Sequence, residues 1–249
     1  MKKLIIGFIL LCTCTSTYSQ NNLPIHEFTI TSEDDFKISL FSITNKDSID
    51  YKPTIVLLHG AGGNKELWIE RRETVQDLYN AGYNIVAMDI RGHGKSDPQM
   101  EGEFTFPIID LKAVLHWVEN NNQFKTGKIG AIGSSYGSNI LTAGVVLWDL
   151  NIETIVLFSV TAAAKRVINA PQNVRIPLPY KNNKIKSGFY IASDNELERY
   201  MADEMAEEFY QQTEPKRRKK RILTGRYHGS SLYYSTRIEV LAWLKKELF

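Results

Sequence analysis

Apolar and polar positions change rhythm once along the chain, and the change sorts the strands into two kinds. Residues 26–31 (His-Glu-Phe-Thr-Ile-Thr) and 36–43 (Phe-Lys-Ile-Ser-Leu-Phe-Ser-Ile) alternate around the turn-forming Ser32-Glu33-Asp34-Asp35. That pattern predicts a hairpin with one solvated face. Beyond it the alternation stops. Thr54-Ile55-Val56-Leu57-Leu58, Ile85-Val86-Ala87-Met88, Lys128 to Ile132, Ile155-Val156-Leu157-Phe158 and Gly188-Phe189-Tyr190-Ile191-Ala192 are continuous apolar runs, as expected of strands buried on both faces of a parallel sheet. Helical patterns lie between them at 65–81, 107–120, 136–149 and 195–212, with a last one at 232–248. A more exposed strand near Arg221-Ile222-Leu223-Thr224 makes eight. The alternation predicts one α/β domain: a doubly wound, mostly parallel eight-stranded sheet with helices on both faces. At 249 residues and 43% apolar content, the chain is long enough to bury one substantial core.

The chemistry begins where the fifth of these strands ends. Gly133-Ser134-Ser135-Tyr136-Gly137 lies between the run 128–132 and a small-residue helical pattern from Ser138 to Trp148, so it reads as strand, sharp turn and helix. A Gly-x-Ser-x-Gly string alone is a weak signal, and its context raises it. The turn holds the serine in a strained conformation with Oγ pointing away from the sheet. The two glycines remove Cβ atoms that would collide where strand and helix pack. Ser135 is therefore the nucleophile candidate, and Ser134 is out of register.

Two more motifs precede this turn: His59-Gly60-Ala61-Gly62-Gly63 after the third strand, and Asp89-Ile90-Arg91-Gly92-His93-Gly94-Lys95-Ser96 after the fourth. In order and spacing the three motifs, together with the strand count, resemble the α/β-hydrolase family over essentially all of residues 26–249. The elbow sequence Ser-Tyr-Gly is also similar to that of serine peptidases of the prolyl oligopeptidase type, without the propeller domain that many of them carry. The family resemblance implies a serine hydrolase whose triad runs in the chain order serine, acid, histidine.

A serine hydroxyl needs a base to take its proton and an acid to orient that base. Of His26, His59, His93, His116 and His228, only His228 lies on a loop after the last strand, in Gly225-Arg226-Tyr227-His228-Gly229. It is the base by position. His116 falls on a helix and His26 on the opening strand, while the resemblance implies loop bracing for His59 and His93. Asp194, at the end of Ile191-Ala192-Ser193-Asp194, is the expected acid. The preceding strand ends in Phe158-Ser159-Val160-Thr161 and offers no carboxylate. Glu196 and Glu198 are read as the solvated face of the following helix, where negative charge favours the N-terminus. For the oxyanion, the backbone N–H groups of Tyr136 and Ala61 are the expected donors. The glycine-rich loop around Ala61 is not a phosphate loop, because no Gly-Lys-Ser/Thr ends it. No metal site and no cofactor is implied. The Asp and Arg of the stretch 89–96 are expected to hold a turn, so no chemistry is assigned there.

Charge refines this picture little. Lys216-Arg217-Arg218-Lys219-Lys220-Arg221 is the densest basic run, but seven carboxylates between Asp194 and Glu208 precede it. It reads as a solvated helix end and strand entry rather than a grip on an anionic polymer. The formal charge of +2 includes Lys2 and Lys3; without them, 28 basic residues face 28 acidic ones. No global field favours nucleic acid or an anionic membrane.

The N-terminus changes the picture more. Lys2 and Lys3 precede an apolar run from Leu4 to Leu11 and then small and polar residues to Ser19. This predicts an export signal over residues 1–19, cleaved near Ser19, with the domain at 20–249. The run is far short of the ~20 residues a membrane-spanning helix needs. Both cysteines, Cys12 and Cys14, lie in the signal, so the cleaved chain has no thiol for disulfide, nucleophile or metal. Leu11-Cys12-Thr13-Cys14 is a poor lipobox, which keeps a lipid-anchored form through Cys12 or Cys14 as the alternative to a periplasmic or secreted one.

Only about 25 residues, Thr161 to Ile185, separate the sixth and seventh strands, and they include Pro171, Pro177 and Pro179. A lid inserted there is minimal, and Ile176-Pro177-Leu178-Pro179-Tyr180 is a candidate wall. The expectation is an exported carboxylic-ester hydrolase acting on small-molecule or polymer-borne esters. The alternatives are a small peptidase or amidase using the same residues, or a non-catalytic binding protein on the same scaffold.

Overall fold

The computed structural model describes residues 23–45, 52–70, 72–98, 106–124, 127–148, 150–169, 184–197 and 200–249. The expected signal with Cys12 and Cys14, the stretch 176–180 and Glu198 lie outside the described residues. The hairpin is β1 (Ile25–Thr31) and β2 (Lys37–Ile43), paired antiparallel with Ile30 opposite Ile38. The buried runs become β3 (Thr54–Leu58), β4 (Asn84–Met88), β5 (Ile129–Ser134), β6 (Thr154–Phe158) and β7 (Gly188–Ser193). A last strand, β8, covers Arg218–Leu223. All eight join one sheet in the order β1-β2-β4-β3-β5-β6-β7-β8. Only the β1/β2 and β2/β4 pairs are antiparallel. The basic run is thus mostly strand: Arg218–Arg221 sit in β8, where Lys220 pairs with Glu207, and Lys219 and Arg221 with Glu239.

Helices α1 (Glu66–Glu70), α2 (Arg72–Asn80), α3 (Phe106–Asn120), α4 (Tyr136–Trp148), α5 (Ala162–Asn169), α6 (Ala202–Gln212) and α7 (Tyr233–Leu248) cover the sheet. Strand periodicity of two divides the apolar runs between two cores. Val56, Leu58, Val86, Met88, Ile155 and Leu157 face one layer, with α3, α4 and α6. Ile55, Leu57, Ile85, Ala87, Val156 and Phe158 face the other, with α2 and α7. Burial on both sides explains why these strands carry no polar alternation.

One helix differs from expectation. The pattern at 195–212 predicts a continuous helix, but α6 starts at Ala202, after Met201 in the left-handed region (φ 49°). Residues 194–197 are a turn. In a parallel sheet, ligand-binding loops gather at the carboxyl ends of the strands, and this turn is one of them.

Candidate active site

Ser135 stands in the turn between β5 and α4 with φ 51°, a conformation that costs a non-glycine residue about 1 kcal/mol or more. Neighbouring strand ends hold it there. The Ser135 N–H donates to the Phe158 carbonyl (2.7 Å) and the Gly137 N–H to the His59 carbonyl (3.1 Å). Side chains are excluded on both flanks of the turn. A Cβ on Gly133 would sit 2.6 Å from the Ser138 nitrogen, and one on Gly137 would sit 2.5 Å from the Leu58 carbonyl oxygen.

His228 follows β8 and meets this serine. Its Nε2 lies 2.8 Å from Ser135 Oγ, and its Nδ1 lies 2.5 Å from Glu196 Oε2. The histidine side chain keeps a third of its surface exposed, whereas Glu196 is 3% exposed. The loop around His228 is tied down locally. Ser231 Oγ accepts from the His228 N–H (3.0 Å) and donates to the His228 carbonyl (2.8 Å), at the entry to α7. The Tyr200 ring stacks on the imidazole at 4.6 Å. Glu196 is equally constrained: its Oε1 accepts the Ser193 N–H (3.0 Å) and the Ser159 hydroxyl (2.7 Å). A carboxylate with one oxygen so occupied presents the other to Nδ1–H, which fixes the tautomer that leaves Nε2 able to accept the serine proton.

Tyr136 opens α4 immediately after Ser135, so its N–H lies in the first turn, where the helix dipole favours negative charge. Ala61 lies in a turn closed by the Gly63 N–H to the Gly60 carbonyl (3.1 Å). That turn runs beside Ser135, since a Cβ on Gly60 would come within 3.4 Å of Ser135 Cβ. Among the described residues no group of three or more His, Cys, Asp or Glu side chains is arranged to hold a metal ion.

An α/β-hydrolase-fold family model matches residues 53–157, which hold β3 to β6 and the elbow. An esterase from Pyrococcus furiosus, Pf2001, superposes with a TM-score of 0.71 at 25% identity, covering 91% of this chain and 94% of that one. The chain has the α/β-hydrolase fold. A serine hydrolase from Xanthomonas campestris described as lacking a lid shares this hydrolase fold, with a TM-score of 0.62 at 15% identity over 90% of this chain and 95% of that one. Among curated proteins, a Pseudomonas putida 2-hydroxy-6-oxononadienedioate/2-hydroxy-6-oxononatrienedioate hydrolase is 27% identical over 150 residues, 60% of this chain and 48% of its own length. Its Escherichia coli K12 counterpart is 29% identical over 106 residues, 42% of this chain and 35% of its own. The chain thus spans about half or less of the length of the curated relatives it matches.

Within this fold Ser135 and His228 are hydrogen-bonded, Tyr136 is the residue after Ser135, and Ala61 lies in the turn that starts at Gly60 beside it. Asp194 does not join them. It is exposed, and its carboxylate accepts the Gly225 N–H at 3.0 Å, which ties the loop after β7 to the loop after β8. Two residues further on, the turn directs Glu196 inward to the position expected of Asp194. The expectation failed because it placed Glu196 on a helix that begins six residues later. The two bracing histidines are resolved in part. His59 is buried, its Nε2 accepts the Ile90 N–H (3.0 Å) and its Nδ1 faces the Gly60 carbonyl (2.7 Å). Burial pushes its pKa down to about 4, so it is a neutral brace for the loop carrying Ala61. The His93 ring lies tilted against both His59 (5.1 Å) and Tyr136 (6.1 Å).

Proposed function

We propose that this chain is an exported serine hydrolase that cleaves carboxylic esters through an acyl-enzyme on Ser135. The observation that carries the reading is the unbroken hydrogen-bonded series from Ser135 Oγ through His228 to Glu196. Ser135 Oγ attacks the ester carbonyl carbon while His228 Nε2 takes its proton. Nδ1–H remains on the imidazolium, whose charge the Glu196 carboxylate offsets. The Tyr136 and Ala61 N–H groups receive the developing oxyanion; each such donor is worth about 10²- to 10³-fold in turnover. Collapse breaks the bond to the alcohol oxygen, which takes the proton back from His228. Water follows the same route, releases the carboxylic acid and restores Ser135.

The likeness to the Pyrococcus furiosus esterase supports ester chemistry. The short interval between β6 and β7 supports a shallow, accessible site suited to short-chain or polymer-borne esters. The curated relatives are named for an oxo-dioate substrate, but the stretch they share is under half their length, so that substrate is the second to try. Hydrolysis of p-nitrophenyl acetate, butyrate and octanoate by the wild type and Ser135→Ala tests the reading. The expected result is turnover of the short esters by the wild type alone, with matched anilides much slower. A folded wild type that hydrolyses no ester contradicts it. Export is checked separately: exported protein whose N-terminus is Gln20 supports cleavage after Ser19, and a lipid-modified Cys12 or Cys14 replaces that view with an anchored form.

A further inference from the structure

The loop after β6 supplies no carboxylate, yet it reaches into the site through one side chain. Ser159 is fully buried and holds φ 55°, the left-handed region that a β-carbon disfavours. Glycine would fit that backbone with less strain, so the hydroxyl is what distinguishes a serine here. It donates to Glu196 Oε1 (2.7 Å) and accepts from the Gly229 N–H (2.9 Å). Gly229 is the neighbour of His228. A single oxygen therefore joins the loop carrying the acid to the loop carrying the base.

The support for Ser159 comes from the sheet and from α4. Its N–H donates to the Ile191 carbonyl of β7 (2.8 Å). Two residues on, Thr161 and Asn139 exchange hydrogen bonds of 2.8 and 2.9 Å, which fix this loop to the first turns of α4. Glu196 reaches the imidazole from a turn and has three side-chain torsions to restrain. Ser159 and the Ser193 N–H restrain it by holding Oε1, so that Oε2 stays on Nδ1.

We propose that Ser159 is a positioning residue of the triad, acting on His228 from two directions through Glu196 and Gly229. The inference rests on the serine-hydrolase reading above. A hydrogen bond to a charged group, once lost, corresponds to roughly 10- to 100-fold in rate. Ser159→Ala keeps the β-carbon and removes the hydroxyl; Ser159→Gly removes it while relaxing the backbone, and keeps the test open should the alanine variant fail to fold. Two quantities are measured on the wild type and both variants. They are kcat and KM for p-nitrophenyl butyrate, and the far-downfield proton resonance of His228 Nδ1–H.

The expected result is that kcat falls about 10- to 100-fold with KM little changed, and that the resonance shifts or broadens away while near-ultraviolet circular dichroism shows an intact fold. Folded variants with wild-type kcat and an unchanged resonance overturn the proposal. So does a wild type that lacks the resonance. If the wild type shows the resonance but hydrolyses no ester, the ester reading fails by itself, and the resonance in the variants still decides the role of Ser159.

Discussion

In the loop after β4 two charged groups, Asp89 and Arg91, are buried, and each is answered by groups of opposite charge. Asp89 accepts the Lys65 N–H (2.7 Å), the Lys65 ammonium (2.9 Å) and the Lys95 N–H (2.9 Å). Arg91 sets its guanidinium against Asp110 on α3 and Asp34 in the hairpin turn, over the Phe36 ring at 4.2 Å. Burial works against the Arg91 charge, but the hydrogen bonds to Asp110 and Asp34 outweigh it and hold the pKa above the ordinary arginine value. The cluster of Ser135, His228 and Glu196 on the same edge of the sheet is built differently. Its carboxylate is buried and saturated, but its histidine is a third exposed and its serine is partly open. The first region uses charge to fix a turn to a helix and a hairpin. The second leaves one hydroxyl and one imidazole accessible at the end of a hydrogen-bonded series. What separates a brace from a site is whether the last atom of the network has a protein partner that closes it.

Breaking each region should therefore give opposite signatures. Ser135→Ala is expected to lower kcat by about 10⁴-fold or more without lowering thermal stability, because only the attacking atom is removed. Activity that survives this substitution would place the chemistry elsewhere. Arg91→Met leaves Asp110 buried without its cation and should cost about 3–5 kcal/mol of stability in denaturant titrations. The folded fraction should retain kcat within a few-fold. A large loss of kcat at unchanged stability would bring Arg91 into the site and erase the contrast.

The smallest effect concerns His59, which links the two regions. Its folded pKa is depressed from 6.5 to about 4, so the unfolded chain binds a proton there that the folded chain refuses. Its contribution to stability is complete above pH 6.5 and is lost as pH falls towards 4. Between those values, stability should fall by up to about 1.4 kcal/mol per pH unit from this group. His59→Asn should be less stable near neutral pH and show a shallower slope over the same window. Equal slopes would show that His59 is not held neutral.

The fold was legible because strands buried on both faces write themselves as unbroken apolar runs, and Ser135 is flanked by Gly133 and Gly137, which a close strand-to-helix packing requires. That Ser135 and His228 meet was legible because their positions follow from strand order. Glu196 was not. A run of acidic residues after β7 has helical spacing, and nothing in it marks that Met201 turns left-handed and delays the helix to Ala202. Asp194 is the carboxylate nearest the strand, but it is the longer side chain of Glu196 that reaches His228 Nδ1. Ser159 is silent in the sequence for a related reason: a hydroxyl that contacts the site through another residue leaves no pattern in a single sequence.

The identity of the acid is where sequence and structure part, and it is the most direct test of the assembled site. The measurement is the rate at which a fluorophosphonate labels Ser135, read by peptide mass spectrometry, in the wild type, Glu196→Gln and Asp194→Asn. The expected result is equal labelling of the wild type and Asp194→Asn, with Glu196→Gln slower by about 10³- to 10⁴-fold. Slow labelling of Asp194→Asn beside normal labelling of Glu196→Gln would contradict the account.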